Sequence, residues 1–337
     1  MQVSSSLPRI ALIGTGGTMS SLGTSSLDLM DYPEYGTKIP PEDILARVPE
    51  AAQVADIETV PFRSVGSTAL TPTDWFLLRA RIRELACEQP DLAGIIIVHG
   101  TATLEETAFF LDLTLDVELT VVLVGAQRPI SAVGSDATMN LVGALRVAVD
   151  PASRGRGVLV VLNDEIHAAR DVVKTSTLRL QTFRSADFGV LGVVDPDGVH
   201  YYRRVDRPHA PNGPFRDLAD DTVVPRVDIL YSYAGADETF VEAALAKGAQ
   251  GLISAGLAPG IPAKAEHVAL LAAVKQGIPV VQCSRSASGR VAARRYLREN
   301  GFIPGGDFSP QKARILLALG LAAGGSHEAL LEHFQGC

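Results

Sequence analysis

A doubly wound, mostly parallel α/β sheet in a larger amino-terminal domain, followed by a smaller α/β domain, is the fold this sequence predicts. Short apolar runs rich in β-branched residues alternate with longer stretches whose apolar side chains fall at helical spacing. A breaker-dense stretch, residues 207–214, divides a long first series of these units from a shorter second one. Two of the apolar runs end in threonine-bearing turns, at the strand ends where an open parallel sheet presents its chemistry.

Residues 9–13, 94–98, 121–124 and 157–162 are unbroken apolar runs, the pattern of strands covered on both faces. Between them, 73–87 and 104–113 read as helices. Thr71-Pro72-Thr73-Asp74 opens the first, with polar cap residues around a proline. The handedness of βαβ connections then favours parallel pairing. After Tyr202 the composition changes, and 207–223 is taken as a linker between domains over 1–206 and 224–337. In the second domain 227–231, 251–255 and 279–283 read as strands, and 238–247 and 263–275 as helices. Ser309 as N-cap with Pro310 at the first helical position opens a closing helix. On that helix Lys312 and Arg314 are expected to be solvated or to touch the linker.

The 337 residues suit two domains, and 47% hydrophobic with 20% charged residues suffice for full interiors. A net charge of −8 without a basic block argues against a nucleic-acid partner. Cys87, Cys283 and Cys337 are odd in number and without metal spacing, so reduced thiols in the cytoplasm are expected. The first six residues lack the basic start and apolar stretch of a signal peptide. No apolar run is long enough for a membrane span. The seven histidines are scattered, so no metal or other cofactor is expected.

In Ile13-Gly14-Thr15-Gly16-Gly17-Thr18 the glycines let the chain turn sharply and let backbone N–H groups approach a ligand. A dinucleotide fingerprint needs glycine where Met19 stands, and no Gly-Lys-Ser/Thr ending marks a phosphate loop. By itself the turn reads as structural, with Thr15 and Thr18 capping it. The second turn, His99-Gly100-Thr101-Ala102-Thr103-Leu104-Glu105-Glu106-Thr107-Ala108, changes that balance.

Together with Thr15-Gly16-Gly17-Thr18, that run closely resembles the bacterial L-asparaginase family. The resemblance continues through Val124-Gly125-Ala126-Gln127-Arg128-Pro129, Leu162-Asn163-Asp164, Ala169-Arg170-Asp171-Val172-Val173-Lys174-Thr175 and Pro310-Gln311-Lys312-Ala313-Arg314, in order and over nearly the whole chain. It implies a threonine-dependent amidohydrolase acting on linear amides, assembled as a homodimer or homotetramer. Thr18 then matches the nucleophile that forms an acyl-enzyme. Thr101 matches the second catalytic threonine, and Lys174 the lysine that deprotonates it. Ser67, within Val65-Gly66-Ser67-Thr68, matches the serine that binds the substrate's α-carboxylate, with Gly17, Gly66, Thr68 and Ala102 around the substrate. A weak hydroxyl nucleophile needs such a neighbouring base, and N–H groups near Thr101-Ala102 suit an oxyanion. The family's mobile loop with its catalytic tyrosine falls on residues 28–36. Tyr35, beside Gly36, fits slightly better there than Tyr32, with Gly23 and Gly36 as hinges.

The chain also departs from the family. Ala102 stands where asparaginases carry the aspartate that holds the substrate's α-ammonium, and Thr68 replaces a Gln, Glu or Asp. Gly256-Leu257-Ala258-Pro259-Gly260-Ile261 replaces an Asn/Ser-rich stretch, and Ala293, Arg294 and Arg295 offer no match for a late acidic residue. L-asparagine is the default substrate. An asparagine derivative, ω-amide or cyclic imide without a free α-ammonium is the alternative, and a non-catalytic small-acid binding protein the next. His99 is expected as a hydrogen-bonded core histidine, and Glu105 and Glu106 as carboxylates complementing a helix dipole. Asp136 and Asp171 are expected to organise loops, with Asp136 the nearer substitute carboxylate.

Overall fold

The computed structural model describes residues 7–337. It divides into two compact units, one ending at Arg216 and one running from Asp217. The first is built on an eight-stranded sheet: β1 (Arg9–Gly16), β2 (Asp56–Val65), β3 (Leu92–Val98), β4 (Thr120–Val124), β5 (Leu159–Leu162), β6 (Glu165–Ala168), β7 (Gly192–Asp195) and β8 (Gly198–Tyr201). Their order across the sheet is β8-β7-β6-β5-β4-β3-β1-β2. From β2 to β5 all pairs are parallel, and from β5 to β8 all are antiparallel.

Three helices, α1 (Pro72–Glu88), α2 (Leu104–Thr114) and α3 (Ala137–Val149), connect the parallel strands. Alternation along a strand sends Ile10, Leu12, Ile96, Val98, Val122 and Val124 to one face, where they form a core with Leu141, Ala144, Leu145 and Ala148 of α3. Helices α1 and α2 pack through Phe110, whose ring lies 5.4 Å from Trp75 and 4.9 Å from Phe76. Asp74 closes the start of α1, accepting from both the Thr71 N–H and its hydroxyl at 2.8 Å.

The chain leaves β1 toward β2 on one side and enters β3 on the other. That reversal opens a crevice at the carboxyl ends of β1 and β3, the position where open α/β sheets place ligands. Strand β2 has no unbroken apolar run because it is an edge strand with half its residues in solvent. The antiparallel strands are short hairpins for the same sheet. Asn163 and Asp164, at φ 52° and 62°, make the two-residue turn from β5 to β6.

The second unit carries β9 (Val227–Tyr231), β10 (Gly251–Gly256), β11 (Val280–Ser284) and β12 (Ile303–Pro304), all parallel and in that order. Helices α4 (Thr239–Ala246), α5 (Lys264–Lys275), α6 (Pro310–Ala322) and α7 (His327–Gly336), with a short helical turn at Arg295–Glu299, complete it. Two expectations change here. Ser309 stands at the N-cap of α6 but its side chain makes no cap hydrogen bond. Lys312 is only 1% exposed, because it lies on the buried face of α6 with Ala313, Leu316 and Leu317, and not in solvent. The start of the 207–223 stretch is packed as well: Phe215 is buried and its N–H donates to the Leu113 carbonyl at 3.0 Å. Among the described residues no helix is long and apolar enough to cross a membrane.

The crevice depends on glycine. A Cβ at Gly17, whose φ is +90°, would lie 2.3 Å from the Gly100 Cα. Gly17→Ala is therefore expected to lower stability by about 3 kcal/mol from combined backbone strain and overpacking, read by denaturant unfolding. An unchanged midpoint would mean that the two turns do not meet this closely.

Candidate active site

Three adjacent parallel strands deliver their next residues to one place. Strand β1 leads into Gly17 and Thr18, β3 into Gly100 and Thr101, and β2 into Ser67 on a single helical turn, Ser67–Ala69. The Thr15 hydroxyl donates to the Val98 carbonyl at 3.0 Å and binds the ends of β1 and β3 together. A Cβ at Gly100 would fall 2.8 Å from both the Cβ and the Oγ of Ser67, so Ser67 closes on the same junction. The Thr103 hydroxyl secures it by donating to the Ser67 carbonyl at 2.9 Å.

Each catalytic-candidate threonine has its own proton partner. Thr18 Oγ1 lies 2.9 Å from the hydroxyl of Tyr32. The Lys174 ammonium donates to Thr101 Oγ1 at 2.6 Å. Burial pushes the Tyr32 phenol above its ordinary range, so it is neutral at physiological pH. Burial likewise pushes Lys174 below the ordinary lysine range, and the negative charge of Glu105 partly offsets this.

The structure thus brings Tyr32 to Thr18 where the sequence reading favoured Tyr35. Tyr35 is 77% exposed, because the helical turn Tyr32–Tyr35 can aim only one end of its short span inward. Thr18, Thr101, Lys174, Ser67 and Gly17 lie around this junction. Gly66, Thr68 and Ala102 are exposed around them. The methyl group of Ala102 puts no carboxylate beside Lys174.

Other residues matter more than their sequence context indicated. Gln127 Oε1 accepts from the Thr101 hydroxyl at 3.1 Å, while its Nε2 donates to the carbonyls of Arg179 at 3.1 Å and Thr177 at 3.4 Å. Those two carbonyls fix which way the amide faces. With Lys174 as ammonium, the Thr101 proton therefore points to Gln127. Glu105, at the start of α2, is buried and accepts from the backbone N–H of Lys174. It anchors the short ribbon strand Val173–Lys174 as well as complementing the helix dipole. Asp136 accepts from the N–H groups of Gln127 and Arg128 and from the Asn140 amide, so it organises the loop after β4 and is already occupied. Asp171 pairs with Arg170 at 3.3 Å and Arg203 at 2.8 Å.

His99 is a core residue. Its Nδ1 faces the Gly100 carbonyl at 2.8 Å and must carry the proton, leaving Nε2 to accept from Thr107 at 2.9 Å. Among the described residues one group brings three metal-type ligand atoms within 4.8 Å: Asp195, Asp197 and His200, all exposed on the β7–β8 hairpin. Asp197 there already pairs with His200 at 3.0 Å.

Residues 9–207 match the family described as "Asparaginase, N-terminal", and residues 226–334 the "Glutaminase/Asparaginase C-terminal domain". The chain is 38% identical over 331 residues to a probable periplasmic L-asparaginase of Haemophilus influenzae, covering 98% of this chain and 93% of the relative. It is 37% identical over 317 residues to L-asparaginase 2 of Escherichia coli, covering 94% and 89%. The crystal structure of a probable cytoplasmic L-asparaginase from Campylobacter jejuni superimposes with a TM-score of 0.92 at 35% identity, over 98% of this chain and 100% of that one.

Full burial holds the His99 pKa down at about 4. Between about pH 6.5 and 4 the unfolded chain binds this proton and the folded one does not, so stability falls with acid there, by about 3 kcal/mol from this residue. An NMR titration of the ring should place its midpoint near 4. A midpoint near 6.5 would mean that burial does not hold this ring neutral.

Proposed function

This chain belongs to the bacterial-type L-asparaginase family of amidohydrolases, and we propose that it hydrolyses a small linear carboxamide, L-asparagine first, through an acyl-enzyme on Thr18. One observation carries the proposal. Two threonine hydroxyls, each with a separate proton partner, meet at the reversal point of the sheet.

In the first half-reaction Thr18 Oγ1 attacks the amide carbon. Its proton passes to the Tyr32 oxygen as the phenol gives up its own toward the substrate, because a phenol held neutral by burial is no base in itself. The C–N bond breaks and the nitrogen leaves as ammonia, its extra proton coming through that relay. An ester on Thr18 remains. In the second half-reaction the neutral form of Lys174 withdraws a proton from Thr101, and Thr101 draws one from the attacking water. Burial makes this feasible by disfavouring the lysine's charged form. The hydroxide so formed adds to the ester carbon, and the C–O bond to Thr18 breaks. Thr18 Oγ1 regains its proton from the new carboxylic acid through the Tyr32 hydroxyl, leaving the carboxylate, while Lys174 sheds its proton to solvent. Ser67, buried at the end of β2, takes the substrate carboxylate in this reading. The threonine turns supply backbone N–H groups for the oxyanion.

Cytoplasmic location and assembly into a homodimer or homotetramer belong to the same proposal. Free thiols at Cys87, Cys283 and Cys337 support a reducing compartment, and light scattering reads the assembly.

Ammonia release from L-asparagine, D-asparagine, L-glutamine, succinamate, an N-acyl asparagine and succinimide tests the substrate. Turnover of L-asparagine abolished by Thr18→Ala is the expected result. Turnover confined to the substrates without a free ammonium would assign Ala102 and Thr68 to a changed pocket, and no turnover by the wild-type protein would overturn the proposal. Lys174→Met and Thr101→Val are each expected to lower kcat about 10²–10⁴-fold, and the double variant no further, because the two act as a unit.

The rate should rise with pH as Lys174 loses its proton. The lowered pKa sets that rise below the range of free lysine, and Lys174→Met should remove it. A pH profile unchanged in Lys174→Met would exclude lysine as the base.

A further inference from the structure

Tyr32 reaches Thr18 from a flap that has no apolar interior. Its base is a two-residue ribbon in which Ser21 pairs with Lys38 and Leu22 with Thr37. The Lys38 ammonium donates to Ser21 Oγ at 2.6 Å, and Ser21 Oγ donates to the Gly17 carbonyl at 2.8 Å. Residues 23–36 arch out from this base. Leu27, Met30 and Tyr35 are 79%, 69% and 77% exposed, and the Tyr32–Tyr35 turn buries none of its residues. Hydrophobic packing therefore does not explain the flap's shape.

One carboxylate does. Asp28 Oδ2 accepts the N–H and the hydroxyl of Thr24, at 2.9 and 3.1 Å. Its Oδ1 accepts the N–H groups of Asp31 at 2.9 Å, Tyr32 at 3.1 Å and Met30 at 3.4 Å. Five donors converge on one carboxylate with about four lone-pair positions, the Met30 N–H being the most distant. They tie residue 24 to residues 30–32, and the last of these is the tyrosine itself. Gly23 permits the knot, because a Cβ there would lie 2.9 Å from the Asp28 Cβ. Two further hydrogen bonds moor the flap to the loop after β4, from Gly23 N–H to Ser131 Oγ at 2.8 Å and from Val133 N–H to the Ser26 carbonyl at 2.9 Å. The converging N–H groups also hold the Asp28 carboxyl below its usual range, the Thr24 N–H first among them.

We infer that Asp28 is the positioning residue of this site: its carboxylate ties the flap into the shape that holds the Tyr32 hydroxyl on Thr18. Asp28 acts through Tyr32 and touches no reacting atom. The inference rests on Thr18 being the nucleophile of the proposed reaction.

The test is a double-mutant cycle on kcat for L-asparagine, with amide hydrogen exchange over residues 23–36 measured on the same proteins. Asp28→Ala and Tyr32→Phe should each lower kcat about 10- to 100-fold with KM changed far less, and the double variant should be no slower than Tyr32→Phe. Asp28→Asn keeps an acceptor for the Asp31 and Tyr32 N–H groups and should recover most of the rate. The amides of Thr24, Met30, Asp31 and Tyr32 should lose protection in Asp28→Ala while β1 and β3 keep theirs.

Losses that multiply in the double variant, or unaltered exchange in Asp28→Ala, would overturn the role of Asp28 and leave the proposed reaction standing. Undiminished turnover in Thr18→Ala would overturn both. If the wild-type protein does not turn over L-asparagine, the exchange result alone decides whether Asp28 folds the flap.

Discussion

The close approach of Gly17 to Gly100, at the point where the sheet reverses direction, is the constraint on which the rest of this structure depends. No side chain fits between the two backbones, and Gly17 holds a φ of +90° to pass there. The hydroxyl of Thr15 fastens the ends of β1 and β3 across the same gap. Because the strands are parallel and adjacent, their following residues emerge side by side, and Thr18 and Thr101 become neighbours although 83 positions separate Thr15 from Val98 in the chain. Rigid strand ends hold such groups more closely than loops would.

Around that junction the polar groups are arranged so that each proton has one place to go. The carbonyls of Thr177 and Arg179 orient Gln127, and Gln127 in turn orients the hydroxyl of Thr101. Glu105 seats Lys174 through the main chain while keeping its own charge close enough to temper the lysine's shift. His99 stays neutral beneath them, so the site contains no imidazolium to compete with lysine. A buried network of this kind is stable only when its members are satisfied, and Asp136 and Asn140 complete it from the loop after β4. The flap differs in kind: it is polar and exposed, knotted by one carboxylate and moored by two hydrogen bonds to the loop after β4.

Much of this was legible in the sequence. Buried parallel strands are continuous apolar runs, so β1, β3, β4 and β5 could be read directly, and the threonine turns at their ends marked the site. Strand β2 escaped because an edge strand alternates its exposure and carries charges, although it delivers Ser67. Glu105 looked like an ordinary first-turn carboxylate, since its hydrogen-bond partner lies 69 positions away. Lys312 looked solvated because its charge gave no sign of which face of α6 is buried.

By itself the sequence determined the α/β class, the parallel core strands and the two-part organisation, which follow from local pattern and from breaker-dense stretches. Its resemblance to the asparaginase family singled out Thr18, Thr101, Lys174 and Ser67 as candidates. Only the tertiary structure decided between Tyr32 and Tyr35, faced Gln127 toward Thr101, and made Asp28 the knot of the flap. Those choices turn on which of several nearby groups points inward. Direction is set by contacts between segments distant in the chain, and local sequence does not encode it.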